Sequence, residues 1–179
     1  MEQKRKLILF IATSLDGFIA KEDGDLGWLF AVEGEGDNGF GAFYETIDTM
    51  VLGRKTYEDV VRMAKGEYPH RDRINYVFTS EEHEDGENVH FVKEEIVHFA
   101  ERLKSESGKD IWFVGGSSLL ASFMANGLID EFIITVAPVL LGKGIPLFGE
   151  GFHELKLELL KTTRMGQFVQ NHYIMADKL

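Results

Sequence analysis

Two cations follow the end of a short apolar run in the segment MVLGRKTYEDVV, residues 50–61. The run ends at Gly53, Arg54 and Lys55 come next, and a helical spacing of apolar residues begins almost at once. The start of a helix gathers free backbone N–H groups and about half a unit of positive charge. Thr56 adds a hydroxyl that can cap the helix or donate to a phosphate oxygen. The segment indicates either an anion site or simply a solvated basic turn.

A second segment repeats this order of apolar run, glycine and helix. In DIWFVGGSSLL, residues 110–120, the run leads into Gly115 and Gly116, and the hydroxyl residues Ser117 and Ser118 open the next helix. Paired glycines allow a flat group or a phosphate to approach the backbone closely. Because the arrangement occurs twice, an anion site is favoured over a solvated basic turn.

A third apolar run ends at the hydroxyl residues Thr79 and Ser80. In an open α/β sheet, the carboxyl ends of the parallel strands lie along one edge. These hydroxyls and the two glycine turns can therefore face one crevice. Because a ligand with several phosphates needs such a set of groups, we expect a nucleotide site at this edge.

Asp16 and Gly17 come just after the first apolar run, in ATSLDGFIA, residues 12–20, and so at the same expected edge. By residue type the pair favours a turn in which Asp16 bonds its own loop, whereas its position favours contact with a ligand. Trp28 follows in a glycine-rich loop, where an indole is either a core anchor or a lid over a ligand. Both alternatives stay open for each residue.

Other catalytic patterns find no support in the sequence. The segment GEGDNG, residues 34–39, has the spacing of a dinucleotide fingerprint, but no convincing strand precedes it, and Glu35 and Asp37 would repel a pyrophosphate. No two of the six histidines have H-x-x-x-H spacing with an acidic partner, and the chain has no cysteine. A Walker A loop and a nucleophile elbow are also missing. Metal chemistry, hydrolysis and phosphoryl transfer are therefore not expected.

Apolar runs alternate with helical patterns along most of the chain, which is typical of βαβ units and a parallel sheet. The predicted strands are Leu7–Thr13, Thr49–Leu52, Ile74–Thr79, Val89–Val92, Ile111–Val114 and Glu131–Val136. The predicted helices include residues 57–64, 96–103 and 117–124. Near the C-terminus, leucines alternate with charged residues, and Gly166 turns the chain into a second extended run, which indicates an antiparallel hairpin. The predicted fold class is α/β: a three-layer, mostly parallel twisted sheet with helices on both faces and an antiparallel C-terminal hairpin.

The composition is that of a globular chain with one domain over residues 1–179: 44% of residues are hydrophobic, 27% are charged, and prolines number three. The net charge of -11 argues against nucleic acid and anionic membrane surfaces, so any anion site must reverse the field locally. The first apolar run is too short for a signal peptide or a membrane span. The lack of cysteine suits a reducing cytoplasm. We expect a cytoplasmic protein that acts on a small molecule, with no nucleic-acid or membrane partner.

Four segments, in this order, together resemble a known group of proteins: ATSLDGFIA, MVLGRKTYE, FVGGSSLL and GLIDEFIITVAPVLLGKGIPLF. They resemble the dihydrofolate reductase-like superfamily, and most closely the branch that contains the reductase domain of riboflavin biosynthesis, the RibD C-terminal domain. The resemblance extends from Leu7 to the C-terminal hairpin. It implies a dihydrofolate reductase-like fold and an NADPH-dependent reductase.

The resemblance also implies which residues bind NADPH. It implies that Ala12 and Ile19 border the nicotinamide, and that Thr79 and Ser80 approach the 2′-phosphate of the adenosine. The residues implied for phosphate binding are Gly53, Arg54, Lys55 and Thr56. Those implied for the pyrophosphate and the nicotinamide ribose are Gly115, Gly116, Ser117, Ser118 and Leu119. A cis peptide at the paired glycines is implied as well.

The substrate side departs from dihydrofolate reductases. Those enzymes carry an acidic residue about one turn before an aromatic pair that resembles Phe43 and Tyr44. Here Gly39 and Phe40 occupy that place, while Asp37 lies nearby in a loop and would take the role only in a shifted alignment. We therefore expect the pterin-binding carboxylate to be missing and the substrate to differ.

We predict hydride transfer from NADPH to a small C=N or C=O substrate, pterin-like or aminopyrimidine-like. Asp16 is the predicted catalytic residue, which polarises the substrate or relays a proton, and Trp28, Phe43 and Thr135 are predicted pocket walls. The alternatives are an NADPH-binding module without turnover and a divergent dihydrofolate reductase. The apolar run IITVAPVLLG, residues 133–142, indicates either a homodimer interface or simply a central strand.

Overall fold

The computed structural model describes residues 4–151 and 153–176 and contains one eight-stranded sheet. Its strands are β1 (Leu7–Ser14), β3 (Ile47–Gly53), β4 (Ile74–Phe78), β5 (Val89–Val92), β6 (Asp110–Gly115), β7 (Glu131–Ala137), β9 (Leu157–Met165) and β10 (Phe168–Met175). Two short strands, β2 (Phe18–Ala20) and β8 (Ile145–Pro146), pair with each other. All six predicted strands are therefore confirmed, with ends that shift by one or two residues.

The strand order is β5-β4-β3-β6-β1-β7-β10-β9. The first six strands of this order are parallel, while β10 pairs antiparallel with both β7 and β9. The mostly parallel sheet and the antiparallel C-terminal hairpin are thus confirmed. In this register Ala12 of β1 lies opposite Thr135 of β7, and Leu52 of β3 lies opposite Gly115 of β6.

The helices cover both faces of the sheet, as predicted. They are α1 (Gly27–Phe30), α2 (Phe40–Tyr44), α3 (Arg54–Met63), α4 (Ile96–Ser105) and α5 (Ser117–Ala125). Side chains alternate between the faces of a strand, and in β3 Met50 and Leu52 pack under α2 and α3, whereas Val51 packs under α4 and α5. Since both faces are buried, the strands are continuous apolar runs rather than alternating ones.

The apolar run at residues 133–142 begins inside the sheet, because β7 lies between β1 and β10. This part of the run is a central strand, and the homodimer stays a prediction. In contrast to the central strand β7, β9 forms an edge of the sheet and is exposed along most of its length. Among the described residues, no helix has the length and apolar character needed to cross a membrane.

Candidate functional site

The carboxyl ends of β1, β6, β3, β4 and β5 border one cavity of about 940 Å³. Every residue that the sequence reasoning connected with NADPH lines this cavity: Ala12, Ile19, Gly53, Arg54, Lys55, Thr56, Thr79, Ser80, Gly115, Gly116, Ser117, Ser118 and Leu119. They come together because parallel strands bring their carboxyl ends to one edge of the sheet.

Two helices begin at this cavity without a capping side chain. Gly53 is the extended N-cap of α3, and Gly116 is the N-cap of α5; at neither helix start does a backbone N–H donate to a capping side chain. The first-turn N–H groups of both helices are therefore available to an anion. A Cβ atom on Gly116 would lie 3.6 Å from the backbone nitrogen of Gly53, so the two turns are in close proximity.

The expected cis peptide at the paired glycines is wrong. No cis peptide occurs among the described residues, and the turn is instead made with positive φ angles of 154° at Gly115 and 107° at Gly116. An L side chain rarely adopts such angles. The glycines are thus required by the conformation of the turn.

Among the charged side chains that line the first cavity, cations outnumber carboxylates. Four cationic side chains line it, Arg54, Lys55, Arg62 and Lys93, together with two carboxylates, Asp59 and Glu94. The formal charge of this lining is positive in a chain of net charge -11. An anionic ligand is accordingly favoured here over the rest of the surface.

A second cavity of about 390 Å³ adjoins the first. Ile11, Ala12 and Leu29 belong to the walls of both cavities. Four phenylalanines dominate the second cavity: Phe10, Phe30, Phe40 and Phe168. Its polar lining comes from Asp37, Asn38 and Thr135, and the Thr135 hydroxyl also accepts a hydrogen bond from Gln170 at 3.0 Å. Thr135 thus lies where a pocket wall was predicted.

Asp37 lines this cavity, although its place in a loop favoured no role in substrate binding. Its Oδ1 accepts the N–H of Gly39 at 3.0 Å, and its Oδ2 accepts the N–H of Gly41 at 2.8 Å. The carboxylate therefore holds the start of α2 while it lines the second cavity. The sequence signal was an aspartate placed just before a short helical turn, which the acidic loop around it obscured.

The model of the family described as "RibD C-terminal domain" matches residues 5–170. The chain belongs to the RibD C-terminal domain family. This chain is 52% identical to the uncharacterized protein YwjB of Bacillus subtilis (strain 168), over 97% of this chain and 99% of that protein.

Two solved structures resemble this chain over nearly its whole length. A putative riboflavin biosynthesis protein from Shewanella sp. PV-4 is 33% identical, with a TM-score of 0.83, and the match covers 95% of this chain and 98% of that one. A dihydrofolate reductase from Enterococcus faecalis, solved in complex with NADP(H), is 23% identical, with a TM-score of 0.70, and the match covers 96% and 97%. The second likeness shows that the fold is dihydrofolate reductase-like.

Asp16 lines neither cavity. Its carboxylate accepts hydrogen bonds from the Ser14 hydroxyl at 2.6 Å and from the N–H groups of Leu141 and Gly142. The Ser14 bond, and then the two backbone bonds, lower the pKa of Asp16. Asp16 thus joins the loop after β1 to the loop after β7, outside the lining of both cavities, and its catalytic role stays a prediction.

Two predicted pocket walls lie behind the cavities rather than in their walls. Phe43 is buried and stacks on Phe10, with ring centroids 4.1 Å apart, so it supports a lining residue from beneath. Trp28 is buried against Phe168 and Ala137, and among the described atoms its Nε1 has no hydrogen-bond partner. Trp28 is therefore a core anchor, the first of the two alternatives.

The described residues contain no group of three or more His, Cys, Asp or Glu side chains arranged to hold a metal ion. Two polar clusters join elements of the fold: the first is centred on β7, and the second connects α2 to the turn before β4. Glu131 bonds both Lys6 at 2.6 Å and His172 at 2.7 Å. The hydroxyl of Tyr44 donates to Asp72 at 2.7 Å.

Proposed function

We propose that this protein is an NADPH-dependent reductase, which transfers a hydride to a C=N or C=O bond of a small heterocycle. The observation that carries the proposal is the wall shared by the two cavities at Ala12. A dinucleotide in the first cavity would expose one of its ends to a molecule in the second. Hydride transfer requires such contact between two separate binding sites.

The first cavity has the length and the charge for a dinucleotide. It extends along five strands from β1 to β5, and four steps of about 4.8 Å give roughly 19 Å. The helix starts at Gly53 and Gly116, with Lys55, would hold the pyrophosphate, and Arg54 would lie toward the additional phosphate of NADPH. When bound, NADPH supplies the hydride, and the protein supplies position, orientation and exclusion of water.

The second cavity suits a flat, unphosphorylated ring. Its phenylalanines offer faces on which a heterocycle can stack, while Asp37, Asn38 and Thr135 can bond its edge. Neither lysine nor arginine is among the described residues of this lining, so a ribosyl phosphate would meet no cation there. Within the expected range of substrates, this favours a pterin over a phosphoribosylated aminopyrimidine.

Oxidation of NADPH by a panel of heterocycles tests the proposal. The panel contains dihydropterins, dihydrofolate, a phosphoribosylaminouracil and quinones, and the signal is the loss of the near-ultraviolet absorbance of NADPH. We expect turnover with an unphosphorylated pterin and little with the phosphoribosylated compound. NADPH binding without oxidation by any compound would support a binding module and contradict a reductase. Turnover confined to dihydrofolate would identify a divergent dihydrofolate reductase.

A further inference from the structure

The first cavity has two unlike ends. At β1 it meets the second cavity, through Ala12 and its neighbours. At β4 and β5, several strands away, its wall contains Thr79, Ser80 and Lys93, with Arg54 between these strands and the middle of the cavity. If the nicotinamide half of a dinucleotide lies at the shared wall, the adenosine half lies at the β4–β5 end.

NADPH and NADH differ only at this adenosine half, where NADPH carries one additional phosphate. The lining cations of the β4–β5 end therefore have the chemistry to distinguish the two cofactors. Their effect depends on whether they are free to bind that phosphate or are already neutralised by the protein.

Two consecutive glutamates of the loop that follows β4 pair with the cations Arg54 and Lys93. Arg54 donates to Glu81 at 2.8 Å, and its guanidinium also lies 3.6 Å from Glu58. The ammonium of Lys93 donates to Glu82. Neither Glu81 nor Glu82 is part of the cavity lining.

We propose that Glu81 and Glu82 are specificity-determining residues that weaken the preference for NADPH over NADH. A phosphate at this end must replace Glu81 at Arg54 and Glu82 at Lys93, or else bind cations that are already neutralised. In either case it also meets the repulsion of two nearby carboxylates. The additional phosphate of NADPH therefore gains less affinity than two free cations would give. This inference rests on the proposed function, because it requires a nicotinamide dinucleotide in the first cavity.

The size of the effect follows from the exposure of the two pairs. Glu81 is about half exposed and Glu82 almost fully exposed, so solvent and salt screen both pairs and each is weak. We expect Glu81→Gln and Glu82→Gln each to tighten NADPH about twofold to threefold, and the double variant about fivefold to tenfold. The dissociation constant of NADH should change less than about twofold, since it lacks the affected phosphate.

The experiment is a calorimetric titration of the parent, both single variants and the double variant with NADPH and with NADH, at low salt. Glu84→Gln is the matched control, because Glu84 lies in the same loop, and its replacement changes the net charge equally without removing a partner of Arg54 or Lys93. Higher salt should reduce the difference between the double variant and the parent.

The possible results distinguish a failure of this inference from a failure of the proposed function. A rise in the NADPH-to-NADH preference in the double variant, and not in Glu84→Gln, supports the inference. An unchanged NADPH-to-NADH preference overturns it. If both cofactors bind more tightly by the same factor, the two cations serve a phosphate that both cofactors share, and the inference is overturned as well. Failure of every form to bind either dinucleotide would overturn the proposed function itself.

Discussion

The Oδ2 atom of Asp37 accepts the backbone N–H of Gly41 at 2.8 Å, so a carboxylate of the second cavity also holds the first turn of α2. This bond fixes the carboxylate at the cavity wall. Asp37 is the charged group of the described lining in that cavity, and a carboxylate can accept hydrogen bonds from the amino and ring N–H groups of a pterin.

Replacing Asp37 by Asn should weaken the binding of a dihydropterin about tenfold or more, because a hydrogen bond to a charged group contributes about 1.5–3 kcal/mol. The amide oxygen keeps one acceptor for the start of α2. NADPH affinity should be unchanged, and titration calorimetry measures both ligands. The control is Glu35→Gln, which removes a charge from the same loop outside the cavity lining. Equal dihydropterin affinity in Asp37→Asn and the parent would exclude a role for Asp37 in binding.

Replacing Arg54 or Lys55 by Ala should weaken NADPH binding about tenfold in each case, since each removes a charged donor from the wall of the first cavity. In Arg54→Ala the loss includes a second component, because Glu81 and Glu58 are then no longer neutralised. Arg71→Ala is the control, as it removes an exposed cation that lines neither cavity. If both variants bind NADPH as tightly as the parent, the phosphates do not lie at α3.

Replacing Asp16 by Asn should lower thermal stability without abolishing turnover, because the carboxylate joins two loops and lies outside both cavities. Its pKa is lowered in the folded protein, first by the Ser14 hydroxyl. The stabilisation is therefore complete above the ordinary aspartate pKa and is lost as the pH falls through the lowered value. The melting temperatures of variant and parent should differ at neutral pH and converge in acid. A large loss of turnover in a folded variant would restore the catalytic hypothesis.

Replacing Gly116 by Ala should lower the free energy of unfolding by about 1–3 kcal/mol, the cost of a strained backbone conformation. The added Cβ has space, with its nearest neighbours at 3.6 Å, so the cost comes from the φ angle of 107°. Gly149→Ala is the control, because its Cβ would meet nothing within 4 Å and its φ is not positive. Urea denaturation measures both variants. Equal stability of the two would show that residue 116 tolerates a side chain.

The first cavity could be predicted from the sequence because its residues depend on local patterns. Gly53, Thr79 and Gly115 each end an apolar run, and the geometry of a parallel sheet alone brings such ends to one edge. No knowledge of distant contacts was needed for this part of the site.

The second cavity could not be predicted in the same way, because its wall depends on packing between segments far apart in the chain. Phe168 comes from the C-terminal hairpin, and Asp37 comes from the turn before a five-residue helix that is too short to show a period. The partners of Asp16 could not be predicted for a similar reason, since Leu141 and Gly142 lie in a loop more than a hundred residues further along the chain.

The most direct test of the account is a crystal structure of the protein with bound NADPH. The account predicts that the dinucleotide extends along the first cavity, with its nicotinamide against Ala12 and open to the second cavity, and with its adenosine beyond Thr79. A dinucleotide bound in the opposite direction, or outside this cavity, would contradict it.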